Sequence, residues 1–350
     1  MPGWMAFRAT VHLSTNMTTT PLPPLPRSIY VEPTTRCNEL CRQCPRTWLA
    51  REDDRDLSYD DFRRIVDQFP ALERVVLHGL GEPLLNEDLP RMVRHLKGRG
   101  ARVLFNSNGI LLTRERGQAL TDAGLDEYRL SMDGATRITY AAIRGVDAFD
   151  TVLGNLRAFL QRQRAQGATA PAVSLWFTAM RENLHELPAL VDLASRAGIR
   201  EIYLQRLVFF EEGLARPEQS LFRRSTPEEL ALVARCEEAC RDRGIAFEAA
   251  GSATPVESLQ RDFGERPWSG CGRPYSSTYI TASGNVLSCC FAPFGHTSAR
   301  EYREERVLGN LFEEPIGGIW GGARYQAFRR AFESDHPPRH CAGCGLNWSY

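Results

Sequence analysis

The chain has 350 residues, 43 % of them hydrophobic, and 43 basic side chains balance 43 acidic ones. Balanced charge gives no electrostatic case for nucleic acid or an anionic membrane as the main partner, and the length suits one large domain plus a small one. No apolar run approaches bilayer-spanning length and residues 1–16 lack a signal-peptide core, so the expected compartment is the cytoplasm, where the ten cysteines serve as metal ligands or buried thiols rather than disulfides.

Residues 1–27 read as a flexible arm. Its proline-rich run, Pro21 to Pro26, favours an extended polyproline conformation. From residue 28, short β-rich runs alternate with segments of helical period. Strands are predicted over 28–33, 74–78, 102–106, 127–132, 172–180 and 200–208. Helices are predicted over 59–68, 86–98, 113–123, 148–163 and 183–197. Several strand runs are nearly all apolar, the pattern of a parallel sheet covered by helices. The alternation gives right-handed βα units, and six of them make an α/β fold, a partial (β/α)6 barrel over 28–264. In such barrels chemistry gathers at the C-terminal strand ends. A helix over 226–243 is well signed: Thr226 caps it, Pro227 fits its first turn, Glu229 completes a capping box and Gly244 ends it. Residues 265–350 are rich in Gly, Pro and Cys and read as a second, small domain built around metal. It holds a hairpin of 275–281 and 285–289 turning at Ser283-Gly284, then a short helix near 315–332.

The cysteines carry the chemistry. Cys37, Cys41 and Cys44 follow the first strand with the spacing C-x3-C-x2-C. Three thiolates on one loop can ligate three irons of a cubane and leave the fourth open to another ligand. In the tail, Cys271, Cys289, Cys341 and Cys344 stand at hairpin and loop positions, and by spacing alone fit zinc or a second iron–sulfur cluster. Cys290 adjoins Cys289. Neighbouring strand residues point to opposite faces, so only one of the two ligates. Cys236 and Cys240 lie four apart on the stripe of Leu232, Val233 and Ala239, and read as core.

Five pieces occur in order: the cysteine loop, Gly79-Leu-Gly-Glu-Pro83 after the second strand, Asn106-Ser-Asn-Gly109 after the third, Ser131-Met-Asp-Gly134 after the fourth, and the cysteine-rich tail. Together, over residues 28–350, they resemble the radical S-adenosylmethionine enzymes of the SPASM or twitch subgroup. The resemblance implies that S-adenosylmethionine binds the open iron and is cleaved by an electron from the cluster. The resulting 5′-deoxyadenosyl radical then abstracts hydrogen from an unactivated carbon. It implies cofactor contacts at Gly81, Glu82, Pro83, Asn108, Ser131 and Arg144. Gln43 stands where the family often has an aromatic residue near the adenine. It implies a [4Fe-4S] cluster on Cys37, Cys41 and Cys44 and an auxiliary [4Fe-4S] cluster on Cys271, Cys289, Cys341 and Cys344. The family spacing Cys-x12-Gly-x4-Cys selects Cys289 over Cys290, which then reads as a buried thiol, with a hydrogen-atom donor as the alternative. No cysteine follows Cys344, as in the single-cluster twitch type, and a fully ligated cluster suits electron transfer.

The function expected from this resemblance is an oxidoreductase or related radical enzyme acting on a small polar, sugar-like or natural-product substrate. Its implied partners are that substrate or a peptide, and an electron donor such as flavodoxin or ferredoxin, with no nucleic acid and no membrane. Modification of a ribosomally made peptide is the alternative, disfavoured by the short arm of residues 1–27. A non-catalytic zinc or iron–sulfur binding module is the second alternative. Catalytic residues are not identified from the sequence. His78, Tyr203, Gln205, Arg206, Glu211 and Glu212 lie at or near strand ends and are candidate substrate contacts.

Overall fold

Strand formation follows the predicted alternation closely. The computed structural model describes residues 22–49, 52–208, 210–251, 253–262, 264–293, 302–342 and 344. Residues 1–21 of the expected arm lie outside them. Seven strands follow in chain order and pair in parallel: β1 (Ser28–Val31), β2 (Arg74–Leu77), β3 (Arg102–Ser107), β4 (Glu127–Ser131), β5 (Ala172–Ala179), β6 (Glu201–Arg206) and β7 (Ala246–Ala249). Three further strands extend the sheet beyond β1. β8 (Ser277–Ile280) pairs parallel with β1, β9 (Asn285–Leu287) antiparallel with β8, and β10 (Gly309–Asn310) antiparallel with β9. The cysteine-rich tail thus continues the barrel sheet rather than standing apart from it.

Helices cover the sheet because their apolar stripes have nowhere else to go. In Tyr59–Val66 the buried face is Phe62, Ile65 and Val66, each contributing roughly 1.5–3 kcal/mol on full burial. Leu89–Gly98 buries Leu89, Met92, Val93 and Leu96 in the same way. These meet Ile29, Val75, Val103 and Phe105 of the strands in one core. Pro227–Asp242 starts with the expected capping box of Thr226 and Glu229. Cys236 and Cys240 are buried in the same core.

Among the elements that differ from expectation, three stand out. β7 is a seventh parallel strand; two of its four residues are exposed and one is buried, and it lacks an apolar run, so only pairing with β6 reveals it. The helix Arg137–Arg144 follows β4. Its start is held by a distant acid: Glu186 accepts from Ala135 N at 2.6 Å, Thr136 N at 3.0 Å and Thr139 Oγ1 at 2.6 Å. The single tail helix expected near 315–332 is two, Ile316–Gly321 and Ala323–Glu333, broken at Gly322, whose ψ of 160° is extended. Their core is aromatic, with Arg329 Cζ 4.2 Å from the Trp320 ring centre and 4.1 Å from that of Tyr325. Trp320 Nε1 donates to Pro23 O at 2.8 Å, which ties the proline-rich run to this helix pair. Among the described residues no helix is long and apolar enough to cross a membrane.

Candidate functional site

The cysteine loop leaves β1 across the C-terminal strand ends, and backbone contacts fix its path. Glu82 N donates to Arg36 O at 2.8 Å, Arg42 N to Ile143 O at 2.8 Å, and Leu214 N to Arg42 O at 2.8 Å. Glycine permits the approach. A Cβ on Gly81 would lie 2.1 Å from Thr34 O and 2.6 Å from Arg36 O, and one on Gly145 2.5 Å from Leu40 O. Gly145 also ends its helix at φ 70°, the left-handed region that glycine favours. Cys37, Cys41 and Cys44 then face a cavity of about 480 Å³. Burial pushes the Cys37 thiol up to about 11 and raises Cys41 and Cys44 as well.

The strand-end motifs meet the loop in two buried networks. In the first, Glu82 joins β2 to β3. Its Oε1 accepts from Ser107 Oγ at 2.8 Å and Leu84 N at 3.0 Å, and its Oε2 from Asn108 N at 2.7 Å. Burial still pushes this carboxyl up to about 7. Asn108 Nδ2 donates to Asn38 Oδ1 at 2.7 Å, inside the cysteine loop. In the second, Arg144 stands 3.3 Å from Glu39 and 3.1 Å from Asp133, and donates to Ser131 O at 2.9 Å. Tyr140, one helical turn earlier, donates to Glu39 Oε1 at 2.8 Å. Asp133 further accepts from Gln43 Nε2 at 2.7 Å and Thr178 N at 2.8 Å. Glu39 and Asp133 were not singled out from sequence, although both lie inside the motifs that were.

Six of the seven expected cofactor residues line the cavity: Gly81, Glu82, Asn108, Ser131, Arg144 and Gln43. Pro83 does not; it is buried at the start of a short 3-10 turn. Tyr203, Gln205 and His78 also line it. Burial, with Arg129 nearby, lowers His78 to about 4, so its ring is neutral at pH 7. His78 Nδ1 and Gln43 Oε1 are buried polar atoms without a partner among the described residues. Glu211 and Glu212 are exposed and away from the cavity wall. Arg206 faces the other side of β6, with Cζ 4.1 Å from the Phe222 ring centre.

The tail brings its four expected cysteines together. Cys271, Cys289, Cys341 and Cys344 line one void of about 20 Å³, closed by Phe291, Phe328, Phe332 and His340. Burial lowers His340 to about 3. Cys290 faces the large cavity instead, so Cys289 and Cys290 do point to opposite sides. Val208, just beyond β6, packs with Phe291 and Cys344, which closes the tail onto the open flank of the barrel. Among the described residues no three His, Cys, Asp or Glu side chains converge on the position of one metal ion. A cubane places each thiolate on its own iron and asks for a wider spread than tetrahedral zinc does.

Residues 31–201 match the family model described as the radical SAM superfamily, and residues 271–345 match one described as an iron-sulfur cluster-binding domain. The chain is 27 % identical over 337 residues to the tungsten-containing aldehyde ferredoxin oxidoreductase cofactor-modifying protein of Pyrococcus furiosus, covering 91 % of this chain and 87 % of that one. It is also 27 % identical over 320 residues to the PqqA peptide cyclase of Streptomyces rochei, covering 90 % and 81 %. Streptococcus suis SuiB, solved with its precursor peptide SuiA, has a TM-score of 0.64 at 16 % identity, covering 89 % of this chain and 68 % of SuiB. At that identity the likeness is one of fold.

Proposed function

The chain belongs to the radical SAM superfamily and carries a C-terminal iron-sulfur cluster-binding domain, and from that premise we propose that it abstracts hydrogen from a polar substrate held in the barrel cavity. The cofactors of that class are a [4Fe-4S] cluster that binds S-adenosylmethionine, S-adenosylmethionine itself and an auxiliary cluster. One observation carries the reading. Three thiols share a wall of the 480 Å³ cavity with the glycine-rich turn and with two buried polar atoms that lack partners among the described residues. Unpaired buried polar atoms are costly, so the lining is incomplete without a polar ligand.

Cys37, Cys41 and Cys44 would hold the first cluster, and the small tail void suits Cys271, Cys289, Cys341 and Cys344 for the auxiliary one. When reduced, the first cluster supplies the electron that cleaves S-adenosylmethionine and so enables hydrogen abstraction from an unactivated carbon. The protein's own residues bind, orient and exclude water. Glu82 is a buried carboxylate that gains from a cation, and would take the cofactor's amino group. Asn108 and Ser131 present polar groups from the ends of β3 and β4. The charge of Arg144 is already met by Glu39 and Asp133, so we assign it the task of fixing the cysteine loop and Gln43 against β4. Four thiolates leave no iron free, so the auxiliary cluster would pass electrons rather than bind substrate.

The far half of the cavity is polar and aromatic. Trp176 and Tyr203 stack at 4.1 Å and 16°, Arg129 lies 4.5 Å from the Trp176 ring centre, and Arg74, Glu201 and Glu248 complete that end. This lining suits a small substrate with charged or ring-bearing groups. A peptide is the second reading, favoured by the similarity to a peptide cyclase along most of both chains.

The test is anaerobic reconstitution, then dithionite and S-adenosylmethionine. Formation of 5′-deoxyadenosine is expected. Deuterium transfer into it from labelled polar metabolites or from labelled peptides distinguishes the two readings. Protein that is fully loaded with iron and yet yields no 5′-deoxyadenosine would sink both.

A further inference from the structure

Few residues separate the reaction cavity from the four-cysteine pocket. Arg273 and Phe291 face both, and Arg273 Cζ stands 5.2 Å from the Phe291 ring centre. Cys290 faces the cavity and its neighbour Cys289 the pocket. Of the other arginines that line the cavity, Arg144 pairs with Glu39 and Asp133 and Arg129 with Glu127, while Arg74 donates to Ser28 Oγ at 3.4 Å. Among the described residues Arg273 has no such ion pair. Its side chain shares the cavity wall with Cys290 and the pocket wall with Cys271 and Cys289. A guanidinium withdrawn from water needs an anion, and the groups on this side that would become anionic on binding a cluster are the thiols.

We propose that Arg273 is a positioning residue for electron transfer, whose fixed positive charge raises the reduction potential of the auxiliary cluster from the wall of the reaction cavity. The inference rests on the reading of the tail pocket as a cluster site. Guanidinium remains protonated at any working pH, and cluster potential follows net charge and the surroundings of the sulfurs. One electron enters the oxidised cluster, from the substrate after hydrogen abstraction or from dithionite in vitro. Arg273 exchanges neither electron nor proton. The reduced cluster carries one more negative charge, so a nearby cation stabilises it more than the oxidised form. Placing that cation on the shared wall makes the auxiliary cluster a better electron acceptor at the side where substrate lies.

The experiment is a dithionite redox titration of the full chain carrying Cys37→Ala, Cys41→Ala and Cys44→Ala, so that only the auxiliary cluster is observed by electron paramagnetic resonance. Arg273→Gln lowers the midpoint by at least the 59 mV that corresponds to a tenfold change in a one-electron equilibrium. Arg273→Lys, which keeps the charge, stays well within that. Equal midpoints for Gln and wild-type at equal iron content overturn the proposal alone. If Arg273→Gln does not load, the lysine variant decides: a wild-type midpoint supports the role of charge, and a drop of a tenfold equivalent overturns it. Absence of iron from the triple-alanine chain itself removes the cluster reading, and the proposal with it.

Discussion

The two cysteine groups differ in what their thiols face. The loop of Cys37, Cys41 and Cys44 borders an open cavity of about 480 Å³, while the four tail cysteines enclose a void of about 20 Å³ under aromatic rings. The loop is held by backbone hydrogen bonds and glycine approaches, with a charged network behind it. The tail pocket is held by side-chain packing of Phe328, Phe332 and His340. Three thiols beside empty polar space suit a ligand-binding cluster, and four thiols in a small void walled mostly by aromatic rings suit one that only changes charge. The same element is thus given two roles by the volume left around it.

The largest effect that could break this comparison comes from the thiols themselves. Cys41→Ala should abolish 5′-deoxyadenosine formation, a loss of more than about 100-fold, because two ligands leave a labile cubane. Cys344→Ala should leave that cleavage measurable while iron falls from about eight to about four per chain. Equal loss of cleavage in both variants would erase the distinction.

The charged support of the loop comes next. Asp133→Ala leaves Arg144 short of one carboxylate and strands Gln43 Nε2 and Thr178 N. Breaking a buried pair from one side costs roughly 3–5 kcal/mol, read in denaturant unfolding of the cluster-free protein. A loss under about 1 kcal/mol would show that the loop does not depend on this network.

Glu32 joins the two regions, and its titration sharpens how they are coupled. It accepts from Leu80 N at 2.7 Å beside the loop and from Ala282 N at 3.4 Å in the tail hairpin. Burial pushes it up to about 7 from 4.5. The folded chain therefore holds this proton more tightly than the unfolded chain does. The resulting stability is full below pH about 4.5 and is lost as pH rises through about 7, with a span on the order of 3 kcal/mol. Unfolding midpoints between pH 4.5 and 8 measure the slope. Glu82 adds a like slope and the buried His78 and His340 an opposite one, so Glu32→Gln should remove only its own share of the slope; a slope identical to wild type would assign the titration elsewhere.

Glycine substitution gives the smallest contrast. Gly81→Ala forces the loop backbone to shift, since its Cβ would meet Thr34 O at 2.1 Å, a cost of roughly 1–3 kcal/mol. Gly272→Ala beside the tail pocket meets only Ser276 Oγ at 3.9 Å and should be neutral within about 0.5 kcal/mol. Thermal melts of both variants test this, and equal destabilisation would contradict the account of how the loop is held.

The sequence alone determined the two cysteine groups, the six main parallel strands, most of the covering helices and the motifs at the strand ends. Each is a local signal: a spacing, a period or a cap. Tertiary structure decided what local signals do not carry. β7 is four residues without an apolar run and exists by pairing with β6. Glu186 reinforces the Thr136 cap of the helix Arg137–Arg144 from about fifty residues downstream, accepting from Thr136 N at 3.0 Å. Glu39 and Asp133 matter because Arg144 is brought between them. The tail joins the barrel where β8 pairs with β1, across most of the chain. That pairing sets Cys289 toward the closed pocket and Cys290 toward the open cavity. The two lie in the turn after β9, which ends at Leu287, so strand alternation does not part them; contacts distant in sequence do, and only the folded chain settles which side holds the other three cysteines.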